Sequence, residues 1–360
     1  MGLAYFGLSF FVIRWYAMMD LNDLPILGIG GWSGAGKTSL IENILPRLQE
    51  QGLRTLVCKH CQHGFEIDRA GKDSDRLFQS GGDVFVQDAE QGCWRTHVVP
   101  EHSIVSILPF LSRRYDLILV EGHKDIPLPA VWLEHPTKKD PPPKSVEVME
   151  TLAVNPGRED ALLAWLADWL PNQWQKTPVF GCVLIGGESR RMGRPKHLIE
   201  TEGLTWLEWT LRALKRVCSR VVIAGAGELP ERMVNPIQLP DIMGAAGPMA
   251  GVLAAMRWTP SASWIMAACD MPQVSFPALD WLISHRRPGV WAILPRGGKP
   301  RAVEPLLAYY DCRSHAVIES LFAQGDHSLA AVQNHPKTAT PEIPYHLRDA
   351  WVNVNREDES

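Results

Sequence analysis

An α/β chain of two domains, each built on a mostly parallel sheet, is what this 360-residue sequence predicts, and three features carry the prediction. Twice an apolar, strand-like run breaks into a glycine-bearing loop with a lysine behind it. The first instance is residues 26–30 followed by 31–38, the second residues 179–185 followed by 186–196. Behind each loop the apolar residues change to helical spacing and then to further short apolar runs, the alternation that crossover helices and parallel strands produce. The length suits two ordinary domains.

Composition narrows the function classes. Apolar residues make up 46% and charged residues 21%, as in ordinary globular proteins. A net charge of −4 without a long basic tract makes nucleic acid a poor partner. Seven cysteines, an odd number without disulfide-like spacing, point to a reducing compartment, so a cytoplasmic location is expected. The 14 tryptophans are scattered, and Trp165 and Trp169 fall on an apolar helix face, so they read as packing. Residues 1–19 are apolar, but Arg14 interrupts them, and the run is short for a span of about 20 residues. It has no positive leading region and no Ala-x-Ala site. No membrane association is expected, and residues 1–23 read as an extension without catalytic consequence, with Met18 or Met19 a better start.

The first domain, set at residues 24–170, opens on a buried strand. Gly31-Trp32-Ser33-Gly34-Ala35-Gly36-Lys37-Thr38 follows and has the form G-x-x-x-x-G-K-[ST] of the P-loop. Its main-chain N–H groups suit phosphate, Lys37 the outer phosphates, and the Thr38 hydroxyl Mg²⁺. Leu40, Ile41, Ile44, Leu45 and Leu48 predict a helix over residues 39–50 whose N-terminus faces the anion. A second strand is expected over residues 54–59. Cys58 and Cys61 have C-x-x-C spacing beside His60 and His63, yet no second cysteine pair stands at a matching distance. A loop near the nucleotide is preferred there to a zinc or redox site. Residues 117–120 carry four apolar residues into Glu121 at a strand end, as a Walker-B-like carboxylate is presented to Mg²⁺, while Asp116 begins that strand.

Thr137-Lys138-Lys139-Asp140 has the [NT]-K-x-D form by which GTPases read their base. It follows Glu134-His135-Pro136 and precedes three prolines, so a solvated loop is preferred. Leu162, Leu163, Leu166, Trp169 and Leu170 predict a helix over residues 161–170 that closes the domain. Residues 171–178, with a proline at either end, read as the linker.

Together, the 31–38 run, Lys59-His60, Asp68, Gly71-Lys72-Asp73-Ser74 and Val120-Glu121-Gly122-x-Lys124 resemble the molybdopterin-guanine dinucleotide biosynthesis adaptor, a small P-loop GTP-binding family. The resemblance covers about residues 24–170. It implies GTP binding with weak or no useful hydrolysis, a homodimeric adaptor domain, and partnership with a guanylyltransferase.

The second domain is set at residues 179–360. Its strand, residues 179–185, leads to Leu184-Ile185-Gly186-Gly187-Glu188-Ser189-Arg190-Arg191-Met192-Gly193-Arg194-Pro195-Lys196. Glycines bring bare N–H groups to a ligand, and Arg190, Arg191 and Lys196 add positive charge where a strand ends. The physical reading is a loop that wraps a triphosphate. A helix over residues 206–217 and a strand over 220–224 should follow. Leu239-Pro240-Asp241 precedes Gly247-Pro248-Met249-Ala250-Gly251, which leads into a helix over 252–258. The apolar strand 264–269 ends in Asp270-Met271-Pro272, where a carboxylate suits Mg²⁺ over a triphosphate.

The run from Leu184 to Lys196 resembles the Leu-Ala-Gly-Gly-x-Ser-x-Arg-Met-Gly-x-x-Lys signature of Rossmann-like nucleotidyltransferases, and within them molybdenum cofactor guanylyltransferase. Ile185 replaces the usual alanine, and the Gly186-Gly187 pair suits the guanylyl branch over the cytidylyl one. The resemblance implies GTP contacts by Leu184, Ile185, Gly186, Gly187, Lys196, Asp241 and Asp270, with Asp270 the Mg²⁺ ligand. Ala224-Gly225-Ala226-Gly227 stands where the family often has a nucleotide-contacting asparagine. Arg301, Glu304, Asn353 and Asn355 match the pterin-facing segments, although Arg356 replaces the family's Thr-Pro.

The implied reaction moves GMP from GTP to the phosphate of molybdopterin or molybdenum cofactor. Lys196, Arg190, Arg191 and Asp270 would offset charge on the leaving pyrophosphate. Implied partners extend to molybdenum insertase and molybdoenzyme chaperones. A CTP-dependent cytidylyltransferase, a sugar-phosphate nucleotidyltransferase and a non-catalytic NTP-binding scaffold are the competing readings.

Overall fold

The computed structural model describes residues 20–61, 64–97, 103–123, 125–186, 195–297 and 302–354. The chain divides into two compact units between Asp168 and Trp169. Both are α/β. Among the described residues no helix is long and apolar enough to cross a membrane.

The strands of the first unit are β1 (Ile26–Gly31), β2 (Thr55–Lys59), β3 (Val84–Gln87), β4 (Gly92–Arg95), β5 (Leu117–Glu121), β6 (Pro129–Leu133) and β7 (Glu147–Leu152). Its helices are α1 (Lys37–Glu50), α2 (Asp73–Gln79) and α3 (Ile104–Leu111). Five strands form one sheet in the order β2-β5-β1-β6-β7, every neighbouring pair parallel. The strands β3 and β4 pair antiparallel apart from it. Every residue of β5 and β6 is buried, as a parallel sheet covered on both faces requires. On α1 the buried positions Leu40, Ile41, Ile44 and Leu48 form the stripe expected from their spacing. A Cβ on Gly30 would stand 2.6 Å from a ring carbon of Trp132, so the close approach of β1 to β6 needs glycine there.

The helix expected over 161–170 is longer at both ends. It is α4 (Arg158–Lys176), and Pro171 lies inside it. The segment expected as a linker, 171–178, is therefore helical as far as Lys176. A proline in a helix forfeits one hydrogen bond, and the apolar positions on both sides of it outweigh that cost here.

The second unit has strands β8 (Val179–Leu184), β9 (Glu200–Thr201), β10 (Leu204–Thr205), β11 (Arg220–Ala224), β12 (Gln238–Leu239), β13 (Ser263–Ala268), β14 (Ala292–Ile293), β15 (Ala308–Tyr310) and β16 (Thr338–Ala339). Its helices are α5 (Trp206–Leu214), α6 (Pro248–Trp258), α7 (Phe276–Ser284) and α8 (Ser314–Ala323). The sheet runs β12-β11-β8-β13-β15-β14-β16, mostly parallel, with β15 antiparallel to both neighbours. Alternate residues of its strands enter two separate cores. Val183, Ile223 and Ile265 join one, while Cys182, Val222 and Met266 join the other, so both faces are covered. The helix α5 starts in a capping box between Thr205 and Glu208 and ends three residues before the expected Val217. Trp206 is fully buried in its first turn and donates to Thr201 Oγ1 at 3.1 Å. Truncating such a side chain to alanine costs about 3–5 kcal/mol.

Candidate functional site

Two sites lie at the carboxyl edges of the two parallel sheets, where ligands of such sheets gather. In the first unit, β1 ends at Gly31 and α1 begins at Lys37, with Gly36 left-handed at φ 86° as its N-cap. That geometry turns the first N–H groups of α1 toward the loop, an arrangement suited to anions. Gly31, Ser33, Gly34, Ala35, Gly36, Lys37 and Thr38 thus stand where the motif requires. Lys37 Nζ donates to the carbonyls of Gly31 at 3.0 Å and Trp32 at 3.1 Å, folded over its own loop. Ala35 is buried, and its N–H donates to Trp32 O at 3.0 Å.

Glu121 ends β5 and is 6% exposed. It accepts from Thr38 Oγ1 at 2.8 Å. Lys59, opposite Glu121 in the β2–β5 register, donates to Thr38 Oγ1 at 3.0 Å and lies 3.3 Å from Glu121 Oε2. Two strand ends and the first turn of α1 thereby bring Lys59, Glu121 and Thr38 into one cluster. Asp116 is buried at the opposite end of the sheet and accepts from the Arg54 N–H at 2.6 Å.

Arg158, which the sequence did not single out, braces the P-loop. Its guanidinium donates to the carbonyls of Ala35 at 2.8 Å, Ala153 at 2.8 Å, Glu134 at 3.1 Å and Leu152 at 3.3 Å. An arginine in the first turn of a helix opposes the macrodipole, and that was the one sequence hint of a task elsewhere. Cys58, on β2, has its thiol pushed up to about 11 by burial, which favours the protonated form over a metal-binding thiolate. His60 and His123 bring their rings to 4.7 Å. His63 and Lys124 lie outside the described residues.

In the second unit the ends of four parallel strands come level: Leu184 pairs with Ala224 and Ala268, and Ala224 with Leu239. The strand β8 is followed by β11 on one side and β13 lies on the other, so the crevice opens where the winding reverses. A cleft of about 520 Å³ sits there, lined by Leu184, Ile185, Gly186, Lys196, Asp241, Asp270, Leu306 and Asn353, among others. Lys196 Nζ donates to Asp270 Oδ2 at 2.8 Å, with both side chains about a fifth exposed, at 23% and 19%. Burial holds Asp241 above the usual carboxylate range.

Gly225 has φ +123°, and a Cβ there would stand 1.7 Å from the carbonyl oxygen of Ile185, so no side chain fits. The N-terminal part of α6 also comes close, since a Cβ on Gly251 would lie 2.7 Å from Leu184 Cδ2. Ala245, Gly247, Pro248 and Cys269 line the cleft as well. The sequence signal for the first three was the glycine-rich turn before α6. Cys269 carried none, being the last apolar residue of a buried run. The Glu304 carboxylate lies beside Gly297, whose Cβ would meet it at 2.8 Å, and Leu306 lines the cleft. Gly187, Arg190, Arg191, Arg301 and Asn355 lie outside the described residues.

A P-loop beside an acid-ended strand, and a glycine-edged cleft with a lysine and two carboxylates at a switch point, define a nucleotide-binding domain joined to a nucleotidyltransferase. Comparison with known proteins agrees unit by unit. Residues 26–155 match the family model of molybdopterin guanine dinucleotide synthesis protein B, and residues 181–339 that of the MobA-like NTP transferase domain. The chain is 33% identical over 139 residues to the molybdopterin-guanine dinucleotide biosynthesis adapter protein of Haemophilus influenzae, covering 37% of this chain and 76% of that protein. It is 28% identical over 191 residues to a probable molybdenum cofactor guanylyltransferase of Bacillus cytotoxicus, covering 50% of this chain and 94% of that protein. The crystal structure of molybdopterin-guanine dinucleotide biosynthesis protein A from Archaeoglobus fulgidus is 26% identical with a TM-score of 0.42, covering 50% of this chain and 94% of that one. The first unit belongs to the molybdopterin-guanine dinucleotide biosynthesis adapter family, and the second, whose residues 181–339 match the MobA-like NTP transferase domain, is a nucleotidyltransferase.

Proposed function

We propose that the second unit transfers GMP from GTP to the phosphate of molybdopterin, with or without its molybdenum, giving molybdopterin guanine dinucleotide and pyrophosphate. The first unit then serves as a fused GTP-binding adaptor. The observation that carries the reading is the Lys196–Asp270 pair, 2.8 Å apart on the cleft wall, with Asp270 just past the end of β13. A phosphate oxygen of the acceptor bonds to the α-phosphorus as the bond to the bridging oxygen of pyrophosphate breaks, and pyrophosphate leaves with that electron pair. The acceptor phosphate is already ionised at neutral pH, so no protein base is needed. Lys196, assisted by Arg190 or Arg191, offsets charge on the departing group. Leu184, Ile185, Gly186 and Gly187 would bring main-chain groups against the nucleotide, and Asp241 would fix its orientation.

Asp270 would hold Mg²⁺, and in the adaptor Thr38 and Glu121 would do so. These are hard oxygen donors of the kind Mg²⁺ selects. Among the described residues no group of three or more His, Cys, Asp or Glu forms a metal cage. That suits an ion that keeps most of its shell in water and phosphate oxygens. When bound, the metal supplies charge neutralisation on the triphosphate. On the pterin side the proposal keeps Asn353, which lines the cleft, together with Arg301, Glu304 and Asn355. Molybdenum insertase and molybdoenzyme chaperones are the proposed protein partners, in the cytoplasm.

The test is pyrophosphate release by the full chain given molybdopterin, Mg²⁺ and a panel of nucleotides. GTP should be preferred, and Lys196→Ala should cost about 100- to 1,000-fold. A preference for CTP would reassign the enzyme to cytidylyl transfer. No release with any nucleotide would leave a binding scaffold.

A further inference from the structure

Lys196 reaches the cleft from an element too short to hold itself. It opens a 3₁₀ turn of three residues, Lys196–Leu198. One turn gains too few hydrogen bonds to offset the cost of nucleating it, so its place comes from tertiary contacts. Its second residue, His197, is 5% exposed and takes no part in the reaction proposed above. Nε2 of the ring stands 2.9 Å from the carbonyl oxygen of Glu228. A carbonyl accepts, so that nitrogen carries the hydrogen. The loop that offers this carbonyl, residues 225–228, follows β11 and is itself held. Gln238 of β12 donates from Nε2 to Gly225 O at 2.9 Å and to Gly227 O at 3.0 Å. The loop also lies against the imidazole. A Cβ on Gly227 would stand 3.0 Å from His197 Cε1 and 3.5 Å from Cδ1 of Ile185, a residue of the cleft wall.

Contacts thus run from β12 through the 225–228 loop and His197 to Lys196, whose Nζ donates to Asp270 Oδ2 at 2.8 Å. We propose that His197 is a positioning residue, whose hydrogen bond to Glu228 O fixes the 3₁₀ turn and so places the Lys196 ammonium in the cleft. The proposal rests on the reading that this cleft transfers a nucleotide. A lysine ammonium is a point charge on a flexible four-carbon stem. It offsets charge on a departing pyrophosphate only where it is already in place, because an aligned group spares the reaction the cost of reorganising it. His197 holds the base of that stem, and Asp270 meets its tip.

The test is a double-mutant cycle on pyrophosphate release by the full chain. His197→Phe keeps an aromatic ring in the site and removes the donor; His197→Leu serves if that variant does not fold. Turnover should fall about 10- to 100-fold, the range that a misplacement of about 1 Å produces. In a chain that already carries Lys196→Ala, the same substitution should cost less than about twofold, since the group it positions is gone. His197→Gln, whose amide can donate to Glu228 O, should recover most of the loss. Equal losses in the two backgrounds would mark a general disturbance of the fold and overturn the proposal alone, as would wild-type turnover in His197→Phe. Wild-type turnover in Lys196→Ala, or no release by the unaltered chain with any nucleotide, overturns the reading of the cleft and the proposal with it.

Discussion

Gly225→Ala is the substitution whose effect the cleft geometry fixes most tightly. Its Cβ would lie 1.7 Å from the Ile185 carbonyl oxygen and 2.8 Å from the carbonyl carbon, far inside contact distance. The main chain has little room to yield. Ile185 N donates to Ala224 O at 2.8 Å, and Gly225 N donates to Leu239 O at 3.0 Å, so a shift of either strand end loses one of these bonds. Holding a non-glycine residue in this positive-φ conformation costs about 1–3 kcal/mol. Overpacking adds about 1–3 kcal/mol more. Because Ile185 and Gly186 line the cleft, a displacement of about 1 Å there should also slow turnover roughly 100-fold. Hydrogen exchange of peptides covering β8 and β11, with pyrophosphate release measured alongside, reads both effects within this unit. Wild-type protection together with wild-type turnover would refute the steric reasoning.

The acidic limb of stability should report on α5. Arg232, aided by the Thr205 N–H and hydroxyl, lowers the Glu208 pKa from 4.5 to about 2. Since the folded value is the lower one, this contribution is complete above the unfolded pKa and is lost as pH falls through that window. Denaturant titrations of wild type and Glu208→Gln should converge on acidification toward the folded value, and a constant gap would contradict it. Arg313→Met should cost about 3–5 kcal/mol in urea unfolding, because it strands Asp311, now 2.7 Å from the guanidinium with both side chains at most 2% exposed. Arg158→Lys, which cannot span four carbonyls, should weaken the P-loop component of GTP binding about tenfold; unchanged affinity would show that the loop holds itself.

Much of this architecture was legible because local chemistry and tertiary demand coincide. The P-loop glycines, the stripe of α1 and the acid at the end of β5 are dictated by neighbours within a few residues. The extent of α4 was not legible, since Pro171 signals a break that packing on either side overrides. Nor was the place of Cys269 in the cleft lining, since it reads as the last apolar residue of a buried run. Glu304 was placed on the pterin side from its segment alone, and its carboxylate lies beside Gly297. The loop at Thr137–Asp140 read as solvated because three prolines follow it, and its four residues are exposed; that it lies beside the P-loop is set by sheet order, which no local pattern records. Arg158 escaped notice for the same reason, its four acceptors coming from three separate segments.

The central claim is that the cleft beside Asp270 breaks GTP between its α- and β-phosphates and keeps the α-phosphate. Full chain supplied with molybdopterin, Mg²⁺ and GTP labelled at either the α- or the γ-phosphate tests this directly. The account predicts α-label in the pterin product, γ-label in pyrophosphate, and loss of both in Asp270→Asn. Retention of the α-label in free nucleotide, or labelling of product unaffected by Asp270→Asn, would contradict it.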